Sequence, residues 1–117
     1  MMKRFYIWNV KEEEYKLRLD AESIIELEEN LGMSLLNVLN NDIPKLGVML
    51  QIVHSAIKKY NANIKRTDVN VLYNDYIEDG NSQLEFFSEV IMGIFKVSGF
   101  FTQAQVEKME KEMKKIK

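Results

Sequence analysis

Between Leu46 and Tyr60 the apolar residues Leu46, Met49, Leu50, Val53, Ala56, Ile57 and Tyr60 recur at intervals of 3, 1, 3, 3, 1 and 3. On a rod that turns every 3.6 residues this spacing lines them along one side, so the segment forms a helix whose apolar face another layer has to cover. Pro44 suits its first turn, and the expected helix runs over roughly 44–61. Val48 and Ile52 lie beside the stripe and widen the face.

The rest of the chain supplies that cover. Asp20 can cap a helix carrying Ile24, Leu27 and Leu31 on one face, with Gly32 just past its end. Ser34 opens a short turn from Leu35 to Leu39. Thr67 or Asp68 starts a helix with Val69, Leu72, Tyr73 and Tyr76 on one seam, closed by Gly80. Ser82 then caps a helix to about Ser98 that is apolar almost all the way round, from Leu84 through Phe86, Phe87, Val90 and Ile91 to Val97. Such a helix is the central one or meets a partner on one side. Thr102 and Gln105 form a capping box that opens a last, Lys/Glu-rich helix.

Ahead of Asp20 the period is two. Phe5 to Val10 and Tyr15 to Leu19 read as the strands of a hairpin, linked by Lys11-Glu12-Glu13-Glu14, which lacks the Asn-Gly of a tight turn and leaves the register open. The expectation is a mainly α, compact helical domain of about five helices with a small N-terminal β-hairpin. Residues 1–101 form the domain, with the hairpin at 5–19, and 102–117 form a charged amphipathic helix. A chain of 117 residues has room for one domain.

Composition narrows the function classes. A net charge of -2 lacks the basic footprint that phosphate backbones select, so nucleic acid is an unlikely partner. Zero cysteines remove thiolate zinc sites, iron–sulfur clusters and thiol nucleophiles, and the single His54 has no carboxylate three or four residues away to orient it. Asp75, Glu78 and Asp79 gather near one helix end without calcium-loop spacing and read as a solvated face. There is no glycine-rich phosphate cradle and no nucleophile elbow. We therefore expect no catalytic residues, no metal, no cofactor and no enzymatic activity. The apolar run behind Met1-Met2-Lys3-Arg4 ends at Val10, too short for a secretory leader, and no stretch is long enough to span a bilayer. The expected location is the cytoplasm.

Two features point to partners. Lys58, Lys59, Lys65 and Arg66 form a basic cluster at 58–66 that suits a small phage or bacterial DNA-binding regulator. The last helix carries the sharper signal: Val106, Met109, Met113 and Ile116 recur at 3, 4 and 3, the seam of a coiled coil or groove-binding helix. Glu107 with Lys111 and Glu110 with Lys114 are i, i+4 pairs. A helix of this length is marginal alone in water, whereas burying four such side chains is worth about 6 to 12 kcal/mol before ordering costs. Its order depends on docking, in cis or in trans. Phe100 and Phe101 stand beside the seam, and with it they are the expected contact residues. Seven methionines, Met33, Met109 and Met113 among them, suit a surface that accepts more than one shape.

The order of elements also carries a likeness. A hairpin ending in Tyr15-Lys16-Leu17-Arg18-Leu19 leads into Glu26-Leu27-Glu28 and Leu31-Gly32-Met33-Ser34-Leu35-Leu36. The long helix is followed by Tyr76-Ile77-Glu78-Asp79-Gly80, and the body closes on Ser98-Gly99-Phe100. Over residues 5–101 this resembles the tail assembly chaperones of long, non-contractile-tailed phages and related prophages. The resemblance implies a mostly helical, non-enzymatic protein of the host cytoplasm that acts on the tape measure protein, the tail tube protein or both; together with the apolar seam, it leads us to expect a chain that self-associates or binds helical segments of those tail proteins. It also implies a longer form made by ribosomal frameshifting. It brings no active-site residues.

Overall fold

The hairpin closes more tightly than its sequence suggests. In the computed structural model, which describes residues 4–40 and 43–116 (main chain alone for 39–40 and 112–116), β1 (Tyr6–Val10) pairs antiparallel with β2 (Glu13–Leu17). Val10 faces Glu13, Trp8 faces Tyr15 and Tyr6 faces Leu17. The connection is therefore the two residues Lys11 and Glu12, both left-handed at φ 47° and 68°, where a four-residue link was expected. Two positive φ values match the twist of the strands, but without glycine each costs roughly 1 to 2 kcal/mol. Lys11 helps to hold the strained turn. Its backbone N–H donates to Asp79 Oδ2 (3.3 Å), and its Nζ lies 3.2 Å from Asp79 Oδ1 and 3.8 Å from Glu78.

Six helices follow among the described residues. The first, α1 (Ala21–Leu31), is capped by Asp20, whose Oδ1 accepts the Ser23 N–H at 2.9 Å, and ends at Gly32 with φ 72°. In α2 (Leu35–Asn40), Ser34 Oγ accepts the Leu36 N–H, and Glu28 of α1 reaches across to accept the Leu35 N–H at 2.8 Å. The long helix α3 (Leu46–Ile57) is shorter than expected at both ends. Lys45 enters in an extended conformation, and beyond Ile57 the N–H groups of Tyr60 and Asn61 both turn back to the Ile57 carbonyl. Tyr60 thereby leaves the buried stripe and is exposed.

Helix α4 (Arg66–Glu78) starts one residue early because the Asp68 carboxylate accepts the Lys65 N–H at 2.8 Å. Helix α5 spans 83–97 in three parts: an α-turn (Gln83–Glu85), a π segment (Phe86–Ile91) and a second α part (Met92–Val97). Ser82 and Glu85 cap it reciprocally. The wider π turn resets the apolar register, so that Phe86, Val90, Ile91, Ile94 and Phe95 all enter the core. The last helix, α6 (Gln103–Ile116), opens on the Thr102–Gln105 box.

Helix α3 is the hub, packing against α1, α4, β2 and the π segment. Four neighbours explain why Ile52, off the main stripe, is fully buried along with Met49, Val53, Ala56 and Ile57. The 82–98 helix, expected to be the central one or to meet a partner on one side, shares the centre with α3. Its Leu84 is 60% exposed, while its other end carries the hairpin. Trp8 fills the middle of an aromatic cluster, with ring centroids 5.7 Å from Phe86, 5.8 Å from Tyr76 and 6.4 Å from Tyr15. Burial, with Glu89 and Glu85 nearby, pushes the Tyr76 hydroxyl well above the ordinary tyrosine range. Past β2, the Arg18 N–H donates to the Ala56 carbonyl and the Leu19 N–H to Ser98 Oγ, tying the chain to the ends of α3 and α5.

At Gly93 the fit is closest. A Cβ there would lie 2.5 Å from Cδ1 and 3.0 Å from Cγ of the Tyr6 ring, so the ring lies flush against the helix backbone. Alanine is favoured over glycine within a helix by about 1 kcal/mol, but overpacking costs about 1 to 3 kcal/mol or more. Gly93→Ala should lower stability by about 1 to 2 kcal/mol in urea denaturation. In a Tyr6→Ala background the same change should stabilise; a loss in both backgrounds would contradict the contact.

Candidate functional site

His54 is half-buried on α3, and its Nε2–H donates to the Ile64 carbonyl at 3.1 Å, pinning the loop that joins α3 to α4. It borders a polar cleft of about 280 Å³ with Glu26, Gln51, Ser55, Lys58 and Arg66. The cleft's charged groups have partners within the fold. Lys58 Nζ meets Glu26 at 2.9 Å, and the Arg66 guanidinium donates to Asn70 Oδ1 at 2.6 Å. A wider, open groove of about 530 Å³ runs beside Tyr73, Ile77, Asn81 and Ser82. Among the described residues no group of three or more His, Asp or Glu is arranged to hold a metal ion. Glu78 and Asp79 are taken up by Lys11.

The basic cluster is partly neutralised where it stands. Besides the Lys58–Glu26 pair, Lys59 Nζ lies 2.9 Å from Asp20 Oδ2. Asp20 thus caps α1 with one oxygen and pairs with α3's end through the other. The Ser23 N–H, and after it Lys59, hold the Asp20 carboxyl well below the usual carboxylate range.

The expected contact residues divide into two groups. Phe100 and Phe101 are half-buried against the core, with the Phe100 ring tilted at 58° to that of Phe95 and their centroids 4.7 Å apart, so they anchor the root of α6. Val106 and Met109 are also half-buried but, among the described residues, lie outside the core cluster and its packed margin. The side chains of Met113 and Ile116 lie outside the described residues. Close packing of α6 onto the body is thus seen at its root and not along Val106 and Met109.

Sequence reasoning missed other exposed apolar groups, Ile25 (58%), Leu36 (55%) and Ile43 on and around α1 and α2; Met33, which the sequence does single out, is exposed too. The signal was present for Ile25, which falls off the Ile24–Leu27–Leu31 face. For Leu36 it was not, because a six-residue helix has too few turns to define a face. No helix among the described residues is long and apolar enough to cross a membrane.

Fold and surface define a mainly helical domain with an N-terminal hairpin, paired surface charges and surplus apolar side chains. The chain belongs to a family of unknown function, DUF6096, whose model matches residues 3–116. No curated protein and no solved structure matches it.

The Asp20 geometry fixes a pH dependence. A carboxyl whose pKa is depressed by folding contributes stability that is present above its unfolded value, about 3.9, and is lost as pH falls through the lower folded value. Removing the cap with Asp20→Ala should cost about 1 kcal/mol at neutral pH. The gap between wild type and variant should narrow from about pH 4 downward in denaturation midpoints; a constant gap to pH 2 would refute the assignment.

Proposed function

We propose that this protein is a non-enzymatic assembly chaperone of phage or prophage tails, using α6 to cover apolar stripes on helical segments of the tape measure protein, the tail tube protein or both. One observation carries the reading: α6 is anchored at its root by Phe100 and Phe101 while Val106 and Met109 stay outside the core. A long helical protein with apolar stripes self-associates until something covers them, and a helix with a narrow apolar seam supplies such cover. The resemblance over residues 5–101 supplies the identity of the client. The paired states of Lys58 and Lys59 weigh against DNA regulation through the 58–66 cluster.

Co-expression with a tape measure protein tests this. The wild type should keep the client soluble and co-purify with it. Val106→Asp with Met109→Asp should cut capture at least about tenfold, since burying each charge costs several kcal/mol, without shifting the denaturation midpoint. Ile25→Asp, on an exposed site of α1, should leave capture unchanged. Full capture by the α6 variant would remove α6 from the proposal, and an insoluble client in every case would remove the chaperone role.

A further inference from the structure

Because the hairpin turn has two residues, Val10 and Glu13 form its first hydrogen-bonded pair, and Trp8–Tyr15 and Tyr6–Leu17 follow. The Asn9–Glu14 and Ile7–Lys16 pairs are then the non-bonded ones, which turn their main-chain groups outward. The N–H and C=O of Glu14 and Lys16 therefore lie along the free edge of β2, and both residues are exposed. Among the described residues no other element hydrogen-bonds to their main chain, whereas the next outward N–H, of Arg18, is taken by Ala56. The open edge is a template two outward residues long.

We propose that this edge is a self-complementary surface on which a second copy of the chain docks its own β2 antiparallel, making a four-stranded sheet about a twofold axis at Tyr15. This goes beyond the chaperone reading and does not depend on it. Charges on an edge strand ordinarily keep other strands away. Here their order selects one partner and one register. With Tyr15 opposite the partner's Tyr15, Glu14 faces the partner's Lys16 and Lys16 faces the partner's Glu14, and these outward-facing residues exchange four main-chain hydrogen bonds. A slip of two residues one way sets Glu14 against the partner's Glu14. The opposite slip sets Lys16 against the partner's Lys16. Both place like charges on the axis, where they repel. A slip of one residue brings outward groups against inward ones.

The edge is also prepared. Lys16 Nζ rests 4.9 Å from the Phe5 ring centroid and 6.0 Å from that of Tyr60, which limits the freedom it would lose on pairing. At the other end Lys11 ties the turn to α4. Tyr15 is half-buried, and on the axis it meets its symmetry mate in a non-bonded pair, the type in which side chains approach most closely.

Sedimentation equilibrium on the full chain tests the proposal. The wild type should show a concentration-dependent dimer of twice 13.8 kDa. Glu14→Lys alone or Lys16→Glu alone should weaken it on the order of tenfold or more, each creating two like-charge pairs. An equimolar mixture of the two variants should form a 1:1 heterodimer, because every cross-pair is then Lys with Glu. The double swap E14K/K16E should dimerise again. Lys16→Pro removes an outward N–H that the hairpin itself does not use and should leave a folded monomer by circular dichroism. A wild type that is monomeric at its highest soluble concentration would overturn the proposal. So would a dimer indifferent to the single reversals, or one not rescued by mixture and swap.

Discussion

The ring of Tyr6 occupies the space where any residue but glycine at position 93 would place its side chain. Much else depends on that approach. It lets β1 lie against α5 closely enough for Trp8 to reach Phe86 and Tyr76, and so turns a two-stranded hairpin, marginal by itself in water, into a layer of the core. The π segment belongs to the same arrangement. By widening one turn ahead of Gly93, it lets Phe86 face the indole while Ile94 and Phe95 face inward below it.

From that layer the ties run outward. Arg18 and Leu19 bind the chain to α3 and α5, Asp20 caps α1 and holds Lys59, and Lys11 fastens the turn to α4. Each joins segments far apart in sequence at the surface of a core that is already closed. The exposed ion pairs among them, Lys11–Asp79 and Lys59–Asp20, add little stability individually. They do fix where charge sits: the acidic tip of the hairpin beside α4's end, the cations of α3's end against α1. Among the described residues, main chain along β2 and apolar side chains such as Ile25, Leu36, Val71 and Leu84 stay open at the surface.

Where the physics is local, the sequence was readable. Asp20, Ser34, Ser82 and Thr102 cap as their types require, and Gly32 and Gly80 take left-handed conformations past helix ends. The stripe from Met49 to Ile57 is buried. Where a distant contact decides, the sequence was silent. Nothing near Lys11-Glu12 announces a two-residue turn, because the partner that steadies it, Asp79, lies 68 residues away. The π segment leaves no mark in propensity, and its apolar girth announced a central or partner-facing helix without the change of register inside it. At Gly93 the reason for glycine is a ring from the other end of the chain. The seam of α6 was legible as a pattern, but a pattern states that a face is apolar and not what covers it.

The central claim is that the body completes its own core and leaves the α6 seam for another polypeptide. Amide hydrogen exchange measured along the free chain addresses it directly. Amides of 106–116 should exchange orders of magnitude faster than those of α3 and of 90–97, and slow markedly once a client is bound, since a short helix without tertiary cover opens locally. Protection of 106–116 equal to that of α3 in the free protein would show the seam already buried at home, and the claim would fail.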